Sequence, residues 1–274
     1  MRQEGKDIRT TTNNIAVSYS DEGMEDAPVL VFIHGFPFNK SMWNMQAMAL
    51  KNKYRVITYD VRGHGDSAEG SGNFSITLFV DDLLGLLYNL DIKKVTLCGL
   101  SMGGYIALNA IVNYPEYFEA LILSDTNCYA DTQEGKEKRM KTIETIKLSG
   151  IEKYADDSIK NLFAPGSLLT KPEAIAQVTR MIRGTKEQTL SRTLVALAER
   201  VETCSKLSEI KLPVLILVGN DDKITPPEAA VFMHEKIKGS KLFILKDAGH
   251  LSNMENMTEF NIQLKTFLLN VYPR

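Results

Sequence analysis

The sequence has little cysteine, a single tryptophan, no excess of either charge and no long apolar run. Three cysteines, Cys98, Cys128 and Cys204, stand in 274 residues. An odd number without paired spacing excludes a disulfide scaffold and a zinc site of the usual kind. All three are expected to stay reduced, as in a cytoplasmic protein. Lysine plus arginine total 32 against 34 acidic residues, a formal net charge of -2. That balance leaves no basic footprint, so neither nucleic acid nor an anionic membrane is an expected partner. The longest apolar stretches, such as 29–33 and 214–218, fall far short of the roughly 20 residues that span a bilayer. The first twelve residues are polar and charged, without the apolar core of a signal peptide.

What is present, 44% hydrophobic and 24% charged residues, is the composition of an ordinary globular chain. Its length fits one large domain with an insertion, or two modest ones. Apolar runs recur at 29–33, 55–59, 95–98, 121–123, 214–218 and 242–245. None alternates with polar residues, the pattern of parallel strands covered on both faces. Ile76, Phe79, Val80, Leu83, Leu84, Leu87 and Leu90 repeat at helical spacing, as do Phe260, Leu264, Phe267, Leu268 and Val271. Alternating strands and helices predict a parallel α/β sheet with right-handed crossovers. Segments 8–12 and 15–19 flank Asn13-Asn14, which predicts an antiparallel hairpin at one sheet edge. Between 131 and 208 no strand-like run occurs. Helical patterns at 136–148, 151–163, 172–183 and 187–201, cut at Gly150, Pro165-Gly166 and Gly184, predict a helical lid.

Gly99-Leu100-Ser101-Met102-Gly103 directly follows the run 95–98 and precedes a helix-like segment. A G-x-S-x-G between strand and helix is the setting of a nucleophilic serine on a sharp turn, where side chains at the glycines would collide. Serine needs a base, and the base needs an orienting group. Of the histidines His34, His64, His234 and His250, the last follows the final strand in Asp247-Ala248-Gly249-His250, so it is the expected base. His34 and His64 precede glycines in loops and read as loop-ordering residues, and His234 as a solvated helix residue. A metal set of His34, Asp60, His64 and Asp66 matches no known ligand spacing. The acid should lie between serine and histidine, after a strand. Asp222 in Gly219-Asn220-Asp221-Asp222 is preferred, with Asp221 and Asp125 as alternatives. Backbone N–H groups of Met102 and Phe36 are the expected oxyanion donors.

Over nearly its whole length the sequence resembles the α/β-hydrolase superfamily. The resemblance rests on His34-Gly35-Phe36-Pro37, Ser41-Met42-Trp43, residues 59–67, 99–104 and 219–226, and Gly249-His250. Residues 99–104 and Met42-Trp43 look most like 3-oxoadipate enol-lactonases, cofactor-free haloperoxidase-like esterases and small carboxylesterases. The resemblance implies a mostly parallel sheet of about eight strands flanked by helices, formed by 1–130 and 209–274, with a helical cap at 131–208. It implies hydrolysis of a small-molecule ester or lactone through Ser101, His250 and Asp222, without metal or organic cofactor. Related dehalogenases and epoxide hydrolases use an aspartate nucleophile, so Ser101 argues against both. Phe38, Trp43, Asn127 and Leu251 are expected at the substrate pocket. Lid arginines Arg139, Arg180, Arg183 and Arg192 could meet an anionic substrate or face solvent. A carbon–carbon bond hydrolase on ring-cleavage products and a ligand receptor with slow turnover are the rival readings; oligomeric state stays open.

Overall fold

Aliphatic runs too apolar for either face of a half-exposed sheet bury themselves between two layers of helices. The computed structural model describes residues 2–273. Its strands are β1 (Gly5–Thr12), β2 (Ile15–Gly23), β3 (Val29–Ile33), β4 (Arg55–Tyr59), β5 (Val95–Leu100), β6 (Phe118–Ser124), β7 (Val214–Gly219) and β8 (Lys241–Leu245). They form one eight-stranded sheet in the order β1-β2-β4-β3-β5-β6-β7-β8. Only β1/β2 and β2/β4 pair antiparallel; the remaining pairs are parallel. The expected hairpin is there: Asn13 and Asn14 take φ values of 45° and 60°, joining Thr12 to Ile15 in a two-residue turn.

The helices are α1 (Asn44–Leu50), α2 (Ile76–Asn89), α3 (Met102–Asn113), α4 (Gln133–Leu162), α5 (Pro165–Thr170), α6 (Pro172–Gly184), α7 (Glu187–Ala198), α8 (Pro227–Lys236), α9 (Ser252–Glu255) and α10 (Met257–Val271). Alternate strand residues feed opposite faces of the sheet. Val31, Leu97, Leu121 and Ile216 pack with α2, α3 and α8, whereas Leu30, Phe32, Ile122 and Leu217 pack with α1 and α10. β4, β5 and β7 are buried at every position. β8 departs from the expectation of cover on both faces. It is the sheet edge, only Leu245 is buried, and Ile244 keeps 45% of its surface exposed.

Between β6 and β7 the chain is entirely helical and irregular. The first two expected helices meet within α4 at a kink where Gly150 is non-helical (φ 79°, ψ 168°), and Pro165 opens the unexpected short helix α5. Ile143 and Ile146 of α4 pack on Leu190 and Leu194 of α7, and Phe36 of the sheet domain joins that cluster. The insertion thus rests on the loop after β3.

The expectation of three reduced cysteines is corrected. Cys128 and Cys204 form a disulfide with a Cα separation of 4.9 Å, and only Cys98 is free. Their 76-residue separation concealed the pairing, which arises because both ends of the helical insertion return to the same place. No helix among the described residues is long and apolar enough to cross a membrane.

Candidate active site

β5 ends in a turn so tight that its neighbours dictate its residues. A Cβ on Gly99 would stand 2.2 Å from the Gly103 carbonyl oxygen, and one on Gly103 the same distance from that of Ile33. Between them Ser101 takes φ 53° and ψ −115°, a left-handed backbone that a non-glycine residue rarely adopts. Hydrogen bonds hold it there. The Ser101 N–H donates to the Ser124 carbonyl at 3.0 Å, and Thr126 Oγ1 donates to the Ser101 carbonyl at 2.8 Å. The serine side chain therefore stands at the carboxyl ends of the central strands, where loops from neighbouring strands converge.

Two such loops bring Asp222 and His250 together. Asp222 Oδ2 accepts from His250 Nδ1 at 2.8 Å and from Thr225 Oγ1 at 2.7 Å. Its other oxygen accepts the backbone N–H groups of Ile224 and Thr225 at 2.8 and 3.0 Å. With Nδ1–H committed to the carboxylate, Nε2 is the imidazole's basic nitrogen. Both side chains are buried. Burial opposes charge on His250, but the Asp222 carboxylate outweighs it, and the imidazole pKa is raised above its ordinary value. Burial likewise opposes charge on Asp222, and the His250 charge and hydrogen bonds override it, so its pKa is lowered. His250's side-chain hydrogen bonds run through Nδ1 alone, to Asp222 and Thr225, so none joins it to Ser101 in this resting arrangement. Asp221 instead donates its backbone N–H to Ala248.

Residues that sequence reasoning missed fix the histidine loop. Glu255 accepts the N–H groups of Gly249 at 2.8 Å and Leu251 at 3.3 Å, and that of Ala164 in the helical insertion at 2.7 Å. The His250 N–H donates to the Leu162 carbonyl of α4 at 2.8 Å. A glutamate late in the chain carries no local signal of such a role, whereas Thr225, three residues after Asp222, is a readable turn pattern.

Neither the Phe36 N–H nor the Met102 N–H has a hydrogen-bond partner among the described residues. Met102 opens α3, where N–H groups lack intrahelical acceptors. The Phe36 N–H shares a peptide unit with the Gly35 carbonyl, and that carbonyl accepts from His34 Nδ1 at 2.8 Å. Val61 N–H donates to His34 Nε2 at 2.9 Å, which leaves the ring hydrogen on Nδ1. His34 and His64 are fully buried loop-ordering residues. Burial first, then the Lys40 charge, pulls His34 down to about 4. Burial and the neighbouring His34 pull His64 to about 3. Both remain neutral near pH 7. His234 is exposed and bonds Ser240. Asp60 holds Lys40 Nζ at 2.8 Å and the Asp66 N–H at 3.0 Å, and no group of three metal-ligating side chains is gathered among the described residues.

A family model described as alpha/beta hydrolase fold matches residues 28–257. The chain belongs to the alpha/beta hydrolase fold family. It is 30% identical over 251 residues to 3-oxoadipate enol-lactonase 2 of Acinetobacter baylyi, covering 92% of each chain. Among solved structures it is similar to a thermophilic esterase of Thermogutta terrifontis with malate bound, at TM-score 0.90 and 33% identity, covering 99% of this chain and 100% of the other. It is also similar to the enol-lactonase of Burkholderia xenovorans LB400, at TM-score 0.89 and 26% identity, covering 95% and 99% of the two chains.

In this α/β hydrolase the side chains expected at the pocket separate by environment. Trp43 is wholly buried, its ring centroid 5.0 Å from Phe32 and 6.2 Å from Phe260, and Phe38 and Leu251 lie in the same apolar cluster. Trp43 is thus held as core beneath the sheet. Asn127 is half-buried, donates to Tyr105 Oη at 3.4 Å and lines a cavity of about 10 Å³ with Arg200 and Cys128. Of the lid arginines, Arg139 pairs with Asp131, Arg183 with Glu152 and Asp156, and Arg192 with Glu69; Arg180 is exposed.

Proposed function

We propose that this α/β hydrolase is a serine hydrolase that cleaves small-molecule carboxylic esters or lactones through an acyl-enzyme. Ser101 Oγ attacks the carbonyl while His250 Nε2 accepts its proton, and Asp222 stabilises the imidazolium. The N–H groups of Phe36 and Met102 receive the oxyanion. The imidazolium returns the proton to the departing alkoxide, and water, deprotonated by the same imidazole, releases the acid. The observation that carries this reading is the buried Asp222–His250 bond of 2.8 Å, with the imidazole oriented by its Nδ1–H, in a family fold whose nucleophile turn bears Ser101. The insertion at 131–208 acts as the lid over this site.

The relatives' names raise an enol-lactone as substrate. Three of the four lid arginines, Arg139, Arg183 and Arg192, already pair with protein carboxylates, which favours an uncharged ester or lactone instead. Steady turnover of p-nitrophenyl esters by the wild type, abolished by a fluorophosphonate and reduced by several orders of magnitude in Ser101→Ala, is expected. A single burst without turnover would identify a receptor, and full activity in Ser101→Ala would overturn the assignment. A panel of neutral and carboxylate-bearing esters and lactones separates the substrate classes.

A further inference from the structure

The three segments that carry Ser101, Asp222 and His250 all fasten to one tripeptide at the end of β6. The Ser124 carbonyl accepts the Ser101 N–H at 3.0 Å, and Thr126 Oγ1 donates to the Ser101 carbonyl at 2.8 Å. Between them Asp125 reaches the other two segments. Its Oδ1 accepts the Gly219 N–H at 2.8 Å, at the start of the loop that delivers Asp222. Its Oδ2 accepts Ser252 Oγ at 2.5 Å, two residues beyond His250, and Ser124 Oγ at 2.7 Å. Asp125 is 1% exposed and has φ 44°, so a strained backbone aims a buried carboxyl between the two loops. A carboxyl suits the place: three donors converge on two oxygens, more than a hydroxyl could serve.

We propose that Asp125 is a positioning residue that sets the separation and orientation of Asp222 and His250 while its neighbours hold the nucleophile turn. The proposal rests on the serine-hydrolase reading above. The charged and titratable groups facing it are Asp222 from the loop after β7, His250 from the loop after β8, and the buried Cys98 thiol of β5. Burial, then Asp222, raises the Asp125 pKa to about 7, against the opposing pull of His250 and the serine hydroxyls. In its ionised form it in turn raises the His250 pKa, after the larger effect of Asp222.

Three variants test this: Asp125→Ala, Asp125→Asn and Ser252→Ala, each checked for folding by circular dichroism and thermal melting. Loss of all three bonds in Asp125→Ala is expected to lower kcat for a p-nitrophenyl ester and the rate of fluorophosphonate labelling about 10- to 100-fold, with KM little changed. The acidic limb of its kcat/KM profile should move to lower pH, since His250 loses its fixed approach to Asp222. In Asp125→Asn the amide oxygen still accepts from Gly219, so activity is expected to return to within a few-fold of wild type. A folded Asp125→Ala with the wild-type labelling rate and pH limb overturns the proposal, even if its melting temperature falls. Should Asp125→Ala fail to fold, Ser252→Ala carries the test: a several-fold slower labelling supports the proposal, and the wild-type rate and limb overturn it. A wild type that fluorophosphonate never labels refutes the serine-hydrolase reading instead, whatever the Asp125 variants do.

Discussion

Three buried histidines of this chain fall into opposite charge regimes according to whether a carboxylate is bonded to the ring. His34 and His64, buried with only backbone groups as hydrogen-bond partners, drop to about 4 and about 3 and stay neutral, while His250 beside Asp222 is raised. In the proposed mechanism only neutral imidazole can accept the serine proton, so activity is expected to be lost as pH falls through the raised His250 pKa. A pH profile of kcat/KM on a neutral ester should therefore show an acidic limb above about 6.5, the ordinary imidazole value. Asp222→Asn removes the charge that holds the imidazole protonated, so the limb should move to lower pH and kcat fall about 10⁴-fold. An unmoved limb would show that another group titrates. At this scale Ser101, His250 and the Asp221-Asp222 pair were readable as candidates because each follows a strand in a short, chemically distinctive string. Glu255 acts by accepting backbone N–H groups and carries no such string.

Turns and breaks set the shape of each element, and two glycines test them in contrasting ways. Gly103 has no room: a Cβ there meets the Ile33 carbonyl oxygen at 2.2 Å, an atom of the central sheet that cannot move alone. Gly103→Ala is expected to displace α3 from β3 and lower both thermal stability and the yield of active enzyme. Gly150 has open space but φ 79°, so Gly150→Ala meets only backbone strain. A loss of about 1–3 kcal/mol is expected there, a drop in melting temperature of several degrees in a chain of this size, with catalysis at 25 °C retained. Thermal melts of the two variants should separate steric from conformational strain. The periodicity predicted the strands and helices flanking these glycines, and the expected cut at Gly150 is where the helical backbone breaks, whereas the short helix α5 went unread.

Across the whole molecule, one bond crosses the neck of the helical insertion. Cys128 lies just after β6 and Cys204 just before β7, so their disulfide ties the two strands through which the insertion leaves and returns. Closing a loop of 76 residues stabilises a fold by up to about 4 kcal/mol on the chain-entropy account. Reduction, or Cys128→Ser, is expected to lower the melting temperature, and thiol titration of the denatured, unreduced protein should find Cys98 alone reactive. Three reactive thiols would contradict the pairing. The sequence by itself determined the parallel sheet, its edge hairpin and the turn that carries Ser101, because each is written in contiguous residues whose periodicity and backbone limits act locally. Only the tertiary structure decided which aspartate meets His250, 28 positions away, which cysteines pair, and that Asp125 reaches Ser252 across 127 positions. Those meetings depend on the order and spacing of strands that lie side by side in the sheet, and no local pattern records the distance between segments so remote along the chain.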